Sequence, residues 1–278
     1  MAAPALPRGL AAVVTGGGGG LGRELALELA RRGARVVVSD IDGDAAAETA
    51  AMLQRTGAEA HSFQCDVSDH VAVQQLREQA EAVVGPVDLV CNNAGVAVGG
   101  KFEEIGIDDW RWCVDVNLWG VVHGCHVFAP GMKARGRGYI LNVASAAGLL
   151  SAPLMSPYNV TKAGVVALSE TLHAEMAKSG VRVTALCPTF FKTNILESGH
   201  GLSAKTRAVL TKRMQSSALQ APDVARVALD GLAAGELYVV PMRDGRAMWR
   251  LKRLAPGFYG SRFADVMELV GKRLGFGK

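Results

Sequence analysis

The sequence predicts an α/β fold, a parallel sheet doubly wound by helices on both faces. Three observations predict it. Short apolar runs alternate with amphipathic helical stretches from Leu10 to Pro241. Several of the runs are continuous hydrophobic blocks, the pattern of strands covered on both faces. A run of five glycines, Gly16–Gly20, lies between the first block and a leucine-striped stretch. The length, 278 residues, with 49% apolar and 20% charged residues, suits a large buried core.

The elements follow in order. Leu10–Thr15 reads as the first strand. Leu21–Arg32 places Leu21, Leu25 and Leu29 on one helical side, and Gly33 ends it as a C-cap. Strand Arg35–Asp40 precedes helix Asp44–Arg55, closed by Gly57. Strand Ala60–Asp66 precedes helix Asp69–Val84, with Asp69 as the start signal before Val71. Strand Val87–Asn92 leads to one long helix, Asp108–Ala134, opened by Asp108 before Trp110. Strand Gly138–Ser145 and helix Ser156–Ser179 follow, with Gly180 at the helix end. Strand Val181–Pro188, helix Ala221–Ala234 with its Pro222-Asp223 start, and strand Leu237–Pro241 complete the alternation. Right-handed crossovers between such units build a doubly wound sheet.

Two constellations carry chemistry. A glycine turn between a buried strand and a helix lets backbone N–H groups approach a pyrophosphate closely. Asp40 closes the next strand, where a carboxylate accepts from a ribose 2′-OH and repels a 2′-phosphate. No basic residue follows it at once, so NAD is expected over NADP. Tyr158 and Lys162 are four residues apart, on one helix face. Bringing a tyrosine from about 10 to about 7 takes roughly 4 kcal/mol. An ammonium about 4 Å away supplies a similar amount at an effective dielectric near 20.

Together these residues resemble the short-chain dehydrogenase/reductase family over nearly all of Leu6–Pro241. Thr15 to Gly22 fits T-G-x-x-x-G-x-G, and Asn92-Asn93-Ala94-Gly95 fits N-N-A-G. Ser145 stands thirteen residues before Tyr158, as in the family. The resemblance implies a single Rossmann-like domain, residues 1–241, with seven parallel strands in the order 3-2-1-4-5-6-7. The chain's own residues add a basic, amphipathic extension over 242–278, beyond the point where many members of the family finish, and a substrate lid over 189–220, read from its glycines and polar stretch. The resemblance assigns catalysis to Asn117, Ser145, Tyr158 and Lys162. It assigns cofactor binding to Gly16, Gly20, Leu21, Gly22, Asp40, Asp66, Val67, Asn93, Ala94, Gly95, Tyr158, Lys162, Pro188 and Thr193. Within that set Asp66 is expected at adenine, Pro188 to Thr193 at the nicotinamide carboxamide, and Lys162 at the nicotinamide ribose. Asn117 is expected to hold a water that links Lys162 to solvent. Thr189 departs from the family, which has glycine there, and Ala144 replaces the first serine of a common pair.

The implied reaction is hydride transfer between a nicotinamide cofactor and a secondary alcohol or ketone. The loops expected above the sheet are apolar, so a hydrophobic substrate is expected, with Ser145, Tyr158, Leu150, Met155 and Phe190 lining it. The alternatives are a catalytically silent dinucleotide-binding scaffold or sensor, which the intact proton-transfer set opposes, and an NADPH-dependent carbonyl reductase, which Asp40 opposes.

Other features exclude classes. Five cysteines, odd in number and without a C-x-x-C pair, read as buried reduced thiols. The six histidines form no metal spacing, so no metal is expected. Residues 1–10 are not a secretory signal, and no apolar stretch approaches 18 residues. A cytoplasmic protein is the expectation. Net charge is +4, and the body has no basic excess for nucleic acid. Residues 243–278 hold nine basic and three acidic residues, the rest of the chain 21 and 23. This tail is expected to pack on the body or on a second subunit in preference to a membrane surface, through Met248–Leu254 and Phe263–Val270. The resemblance to the short-chain dehydrogenase/reductase family implies that helices Asp108–Ala134 and Ser156–Ser179 pair in a homodimer or homotetramer.

Overall fold

The computed structural model describes residues 5–196 and 199–262. Its strands are β1 (Ala11–Thr15), β2 (Arg35–Asp40), β3 (Ala60–Gln64), β4 (Leu89–Asn92), β5 (Gly138–Val143), β6 (Val181–Leu186) and β7 (Tyr238–Val239). The helices are α1 (Gly20–Arg31), α2 (Gly43–Arg55), α3 (His70–Val84), α4 (Ile107–Val114), α5 (Gly120–Ala134), α6 (Ala146–Leu150), α7 (Ser156–Met176), α8 (Ala204–Gln215), α9 (Ala221–Ala234) and α10 (Arg243–Leu254). All seven strands are parallel, in the order β3-β2-β1-β4-β5-β6-β7. The fold is the single Rossmann-like domain expected from the motifs.

The pleat sorts side chains between two cores. Ala11 and Val13 of β1 join a core with α3, α5 and α7, while Ala12 and Val14 join a core with α1, α2 and α9. This two-sided burial is why the strands are apolar without alternation. Leu25 and Leu29 are fully buried, as their spacing predicts. The strand order reverses between β1 and β4, so a crevice forms above their carboxyl ends.

Caps explain most helix starts. Asp42 accepts from Asp44 N and Ala45 N at the head of α2, and Asp69 accepts from Val71 N at the head of α3. Gln220 and Asp223 form a reciprocal capping box on α9. Gly180 follows α7 with φ +68°, and a Cβ there would stand 2.0 Å from the Gly136 carbonyl oxygen, so only glycine fits.

Four expectations need correction. Except for β2, which keeps its expected bounds, the strands are shorter than their apolar blocks, most of all β7, which among the described residues pairs only with β6. The long helix over 108–134 is interrupted: α4 ends at Val114, a π-helical turn covers Asp115–Trp119, and α5 then begins. Asp108 is not the cap of α4. Gly106 holds that position, and Asp108 pairs with Arg111 at 2.9 Å instead. A short helix, α6, occupies 146–150, where none was expected.

The first part of the tail packs on the body. Met248 and Trp249 lie against the core, and the Trp249 ring meets Tyr238 edge-on at 4.9 Å. Residues 256–262 are helical, and Tyr259 is buried. Phe263–Val270 lies outside the described residues. Among the described residues no helix is long and apolar enough to cross a membrane.

Candidate active site

The crevice is built from the ends of β1 and β4. Thr15, last in β1, accepts through Oγ1 from Asn93 N at 3.1 Å and from Ala94 N at 3.2 Å. The Asn93 side chain donates to Thr15 O at 2.9 Å and to Gly16 O at 3.0 Å. The glycine turn and the Asn93-Ala94-Gly95 segment therefore form one hydrogen-bonded unit. At Gly16, φ is +63° and a Cβ would stand 2.7 Å from Ala94 Cα. At Gly22 a Cβ would stand 2.0 Å from Gly16 O. Bulkier residues would open this turn, so the glycine pattern has a steric cause at both positions.

Asp40 ends β2 beside the turn. One oxygen accepts from Gly18 N at 2.9 Å and the other from Asp42 N at 3.1 Å. Its carboxylate therefore braces the loop as well as facing the crevice. Asp66 accepts from Ser68 N and Ser68 Oγ, and its side chain is exposed. Val67 is buried against Gly120. Leu21 is buried in the core below the turn. Thr193 reaches the turn from the far side, its Oγ1 3.2 Å from where a Gly20 Cβ would be. Pro188 is buried in the chain and accepts from Ala146 N at 2.9 Å.

A dinucleotide fits this cradle. A glycine turn with no room for a side chain at Gly16, Gly17, Gly18 or Gly22 opens α1, and an acid, an asparagine segment and a threonine surround it.

The proton-transfer group lies next to the cradle. Ser145 caps α6, its Oγ accepting from Ala147 N at 3.1 Å. Tyr158 and Lys162 share a face of α7, with Nζ 5.7 Å from the phenol ring centre. Lys162 is buried, and its ammonium donates to Val143 O at 2.8 Å. Gly95 lies beside both Asn117 and Lys162: a Cβ there would be 3.0 Å from Asn117 Oδ1 and 3.5 Å from Lys162 Nζ.

The electrostatic expectation for Tyr158 changes. Burial pushes the Tyr158 phenol up to about 12, although the Ser145 hydroxyl, bonded to it, works the other way. Burial pushes Lys162 down to about 8, opposed by the Cys113 and Cys187 thiols. The protein alone therefore does not bring Tyr158 near neutrality. One of the three Lys162 N–H groups goes to Val143 O, and burial is the largest cause acting on the phenol.

Asn117 is fully buried in the π-helical turn. Its Oδ1 accepts from Val96 N at 2.8 Å and its Nδ2 donates to Val96 O at 2.9 Å. Its Nδ2 also reaches Thr161 Oγ1 of α7 at 3.4 Å, so the amide ties the segment after Gly95 to α7.

The expected substrate residues divide. Leu150 is buried in the core at the end of α6, Met155 is half-buried at the head of α7, and Phe190 is exposed beneath the Arg213 guanidinium at 5.1 Å. All five cysteines are buried and free, and burial pushes Cys125 and Cys187 up to about 12, so these thiols are inert. Among the described residues no group of three or more ligands could hold a metal ion. His70 lies 3.3 Å from His126 and close to His123, a cluster that the spacing in sequence did not reveal. A buried polar chain was also missed. Asn92 donates to Asn142 at 2.8 Å, and Asn142 donates to Ser169 at 3.0 Å, joining β4, β5 and α7 behind the site.

A family model for short chain dehydrogenases matches residues 10–200. The chain belongs to the short-chain dehydrogenase family. SadH of Mycobacterium tuberculosis, whose name calls it an oxidoreductase, is 35% identical over 257 residues, covering 90% of this chain and 92% of SadH. The 1-deoxy-11-beta-hydroxypentalenate dehydrogenase of Streptomyces exfoliatus is 33% identical, covering 86% of each chain. A short-chain dehydrogenase/reductase from Burkholderia phymatum, solved in complex with NAD, superposes with a TM-score of 0.83 at 35% identity, covering 91% of this chain and 95% of that one. The protein is an oxidoreductase of this family with a nucleotide-binding Rossmann domain.

Proposed function

We propose that the protein is an NAD-dependent dehydrogenase acting on a hydrophobic secondary alcohol, or on its ketone in reverse. The observation that carries this reading is the convergence of Ser145, Tyr158 and Lys162 beside the glycine cradle. A bound nicotinamide supplies the acceptor for hydride and, when oxidised, a positive charge. The chain's own residues do the rest. Ser145 holds the reacting oxygen, Tyr158 takes or gives its proton, and Lys162 favours the phenolate. That phenolate becomes accessible only with added positive charge near the phenol, because burial alone holds the group high. Asn117 keeps the Val96 segment and α7 in register around Lys162.

Asp40 supports NAD over NADP by charge repulsion. The NAD in the Burkholderia structure and the hydroxy compound in the Streptomyces enzyme's name support the same reading. Residues 189–220 act as the lid, with α8 inside it. Pairing through α5 and α7 and a cytoplasmic location complete the proposal.

The test is a screen of apolar secondary alcohols and ketones, read at the nicotinamide absorbance, with NAD and NADP compared. Turnover of an apolar alcohol with NAD is expected, with a preference over NADP that Asp40→Asn relaxes. Asparagine keeps an acceptor for Gly18 N while removing the charge. Equal affinity of the starting protein for NADH and NADPH would refute the cofactor assignment.

A further inference from the structure

Helix α6 begins at the capping residue Ser145 and is only five residues long. So short a helix is not stable alone, and its last carbonyls have no partners within it. Two partners come from far along the chain. Lys252 Nζ donates to Leu149 O at 2.8 Å, and the Tyr259 hydroxyl donates to Leu150 O at 2.9 Å. Lys252 also reaches Ser151 Oγ at 3.3 Å and lies 5.8 Å from the Tyr259 ring centre. Ser151 and Leu154, just beyond α6, have φ of +57° and +64°, a conformation the surroundings must hold in place.

The tail also reaches the opposite end of α6. Gly245 of α10 lies against Thr189, where a Cβ would come within 2.6 Å of the Thr189 methyl carbon. Thr189 Oγ1 donates to Asp244 Oδ1 at 3.4 Å. The neighbouring Pro188 O accepts from Ala146 N, the first amide of α6. On its inner side α6 abuts α7: a Cβ on Gly148 would be 2.5 Å from the Lys162 backbone. The segment carrying Ser145 is thus wedged between the Lys162 turn and the tail.

We propose that Lys252 and Tyr259 are positioning residues. They lock the far end of α6 and so fix Ser145, at its near end, against the substrate. The tail, beyond the last strand, is then a specificity element of the active site. This rests on the reading of Ser145 as the group that holds the reacting oxygen.

The test uses the full chain with Lys252→Met and Tyr259→Phe, singly and together, and Lys252→Arg as the conservative variant. Two measurements need no substrate: amide hydrogen exchange and NADH binding by fluorescence. Exchange across residues 146–151 should rise about five- to tenfold per lost bond, the worth of one hydrogen bond. It should not change in β1 or α1, and NADH affinity should hold. For the best apolar alcohol of the screen, KM should rise by more than kcat falls, and Lys252→Arg should restore it. Unchanged exchange at 146–151, or a uniform rise across the chain, would overturn the proposal. A wild-type protein that turns over no alcohol would count against the functional reading, while exchange and NADH binding would still decide the clamp.

Discussion

At the scale of the residue, Tyr158 and Lys162 are governed by burial as much as by their attraction. The phenol is driven up to about 12 and the ammonium down to about 8. In the protein alone, therefore, Lys162 gives up its proton near pH 8 while Tyr158 keeps its own. The working step is deprotonation of the phenol while Lys162 is still charged. Alcohol oxidation should therefore rise with pH through that step, and ketone reduction should fall. The cationic nicotinamide moves the step downward. Lys162→Met should remove it from the profile of log kcat/KM, and a step of unchanged position in that variant would contradict the assignment. Much of this site was legible in the sequence, because Tyr158, Lys162, Ser145 and Asp40 announce themselves by spacing and by position after a strand. The partners of their polar atoms were not legible. Val143 O for Lys162 and the Val96 backbone for Asn117 are main-chain groups brought in by tertiary packing.

At the scale of the element, apolar periodicity located the strands and long helices but missed two local features. The π-helical turn over Asp115–Trp119 preserves a helical pattern of side chains on either side, so periodicity reads straight through it. It falls at Asn117, where the widened turn carries the amide to Val96. Helix α6 has too few residues to display a period, and its stability comes from α7 and the tail. Gly148 is the contact that lets α6 reach α7. Gly148→Ala puts a carbon 2.5 Å from rigid backbone. Such overpacking costs about 1–3 kcal/mol. The prediction is a lower denaturation midpoint with catalysis reduced more than NADH affinity. Activity equal to the starting protein would show that α6 does not need this approach.

At the scale of the whole molecule, two cores on either side of one sheet divide the labour. The core with α1, α2 and α9 supports the glycine turn, and the core with α3, α5 and α7 supports the proton-transfer group. Leu29 is fully buried in the first, at the end of α1 away from the turn. Leu29→Ala should cost about 2–5 kcal/mol of stability. Urea unfolding should read that loss, while NADH affinity under native conditions stays unchanged. The strand order followed from the family motifs, since local pattern alone cannot say which strands are neighbours. The tail's attachment was legible as the preferred of two readings but not in its contacts, because a basic amphipathic stretch suits a protein surface and a membrane surface alike.

The measurement that bears most directly on the mechanism is turnover by Tyr158→Phe, with NADH binding measured on the same preparation. Loss of the proton-transfer group should cut kcat by about 10² to 10⁴ while the cofactor still binds. Turnover within twofold of the starting protein, with the fold and cofactor binding intact, would contradict it.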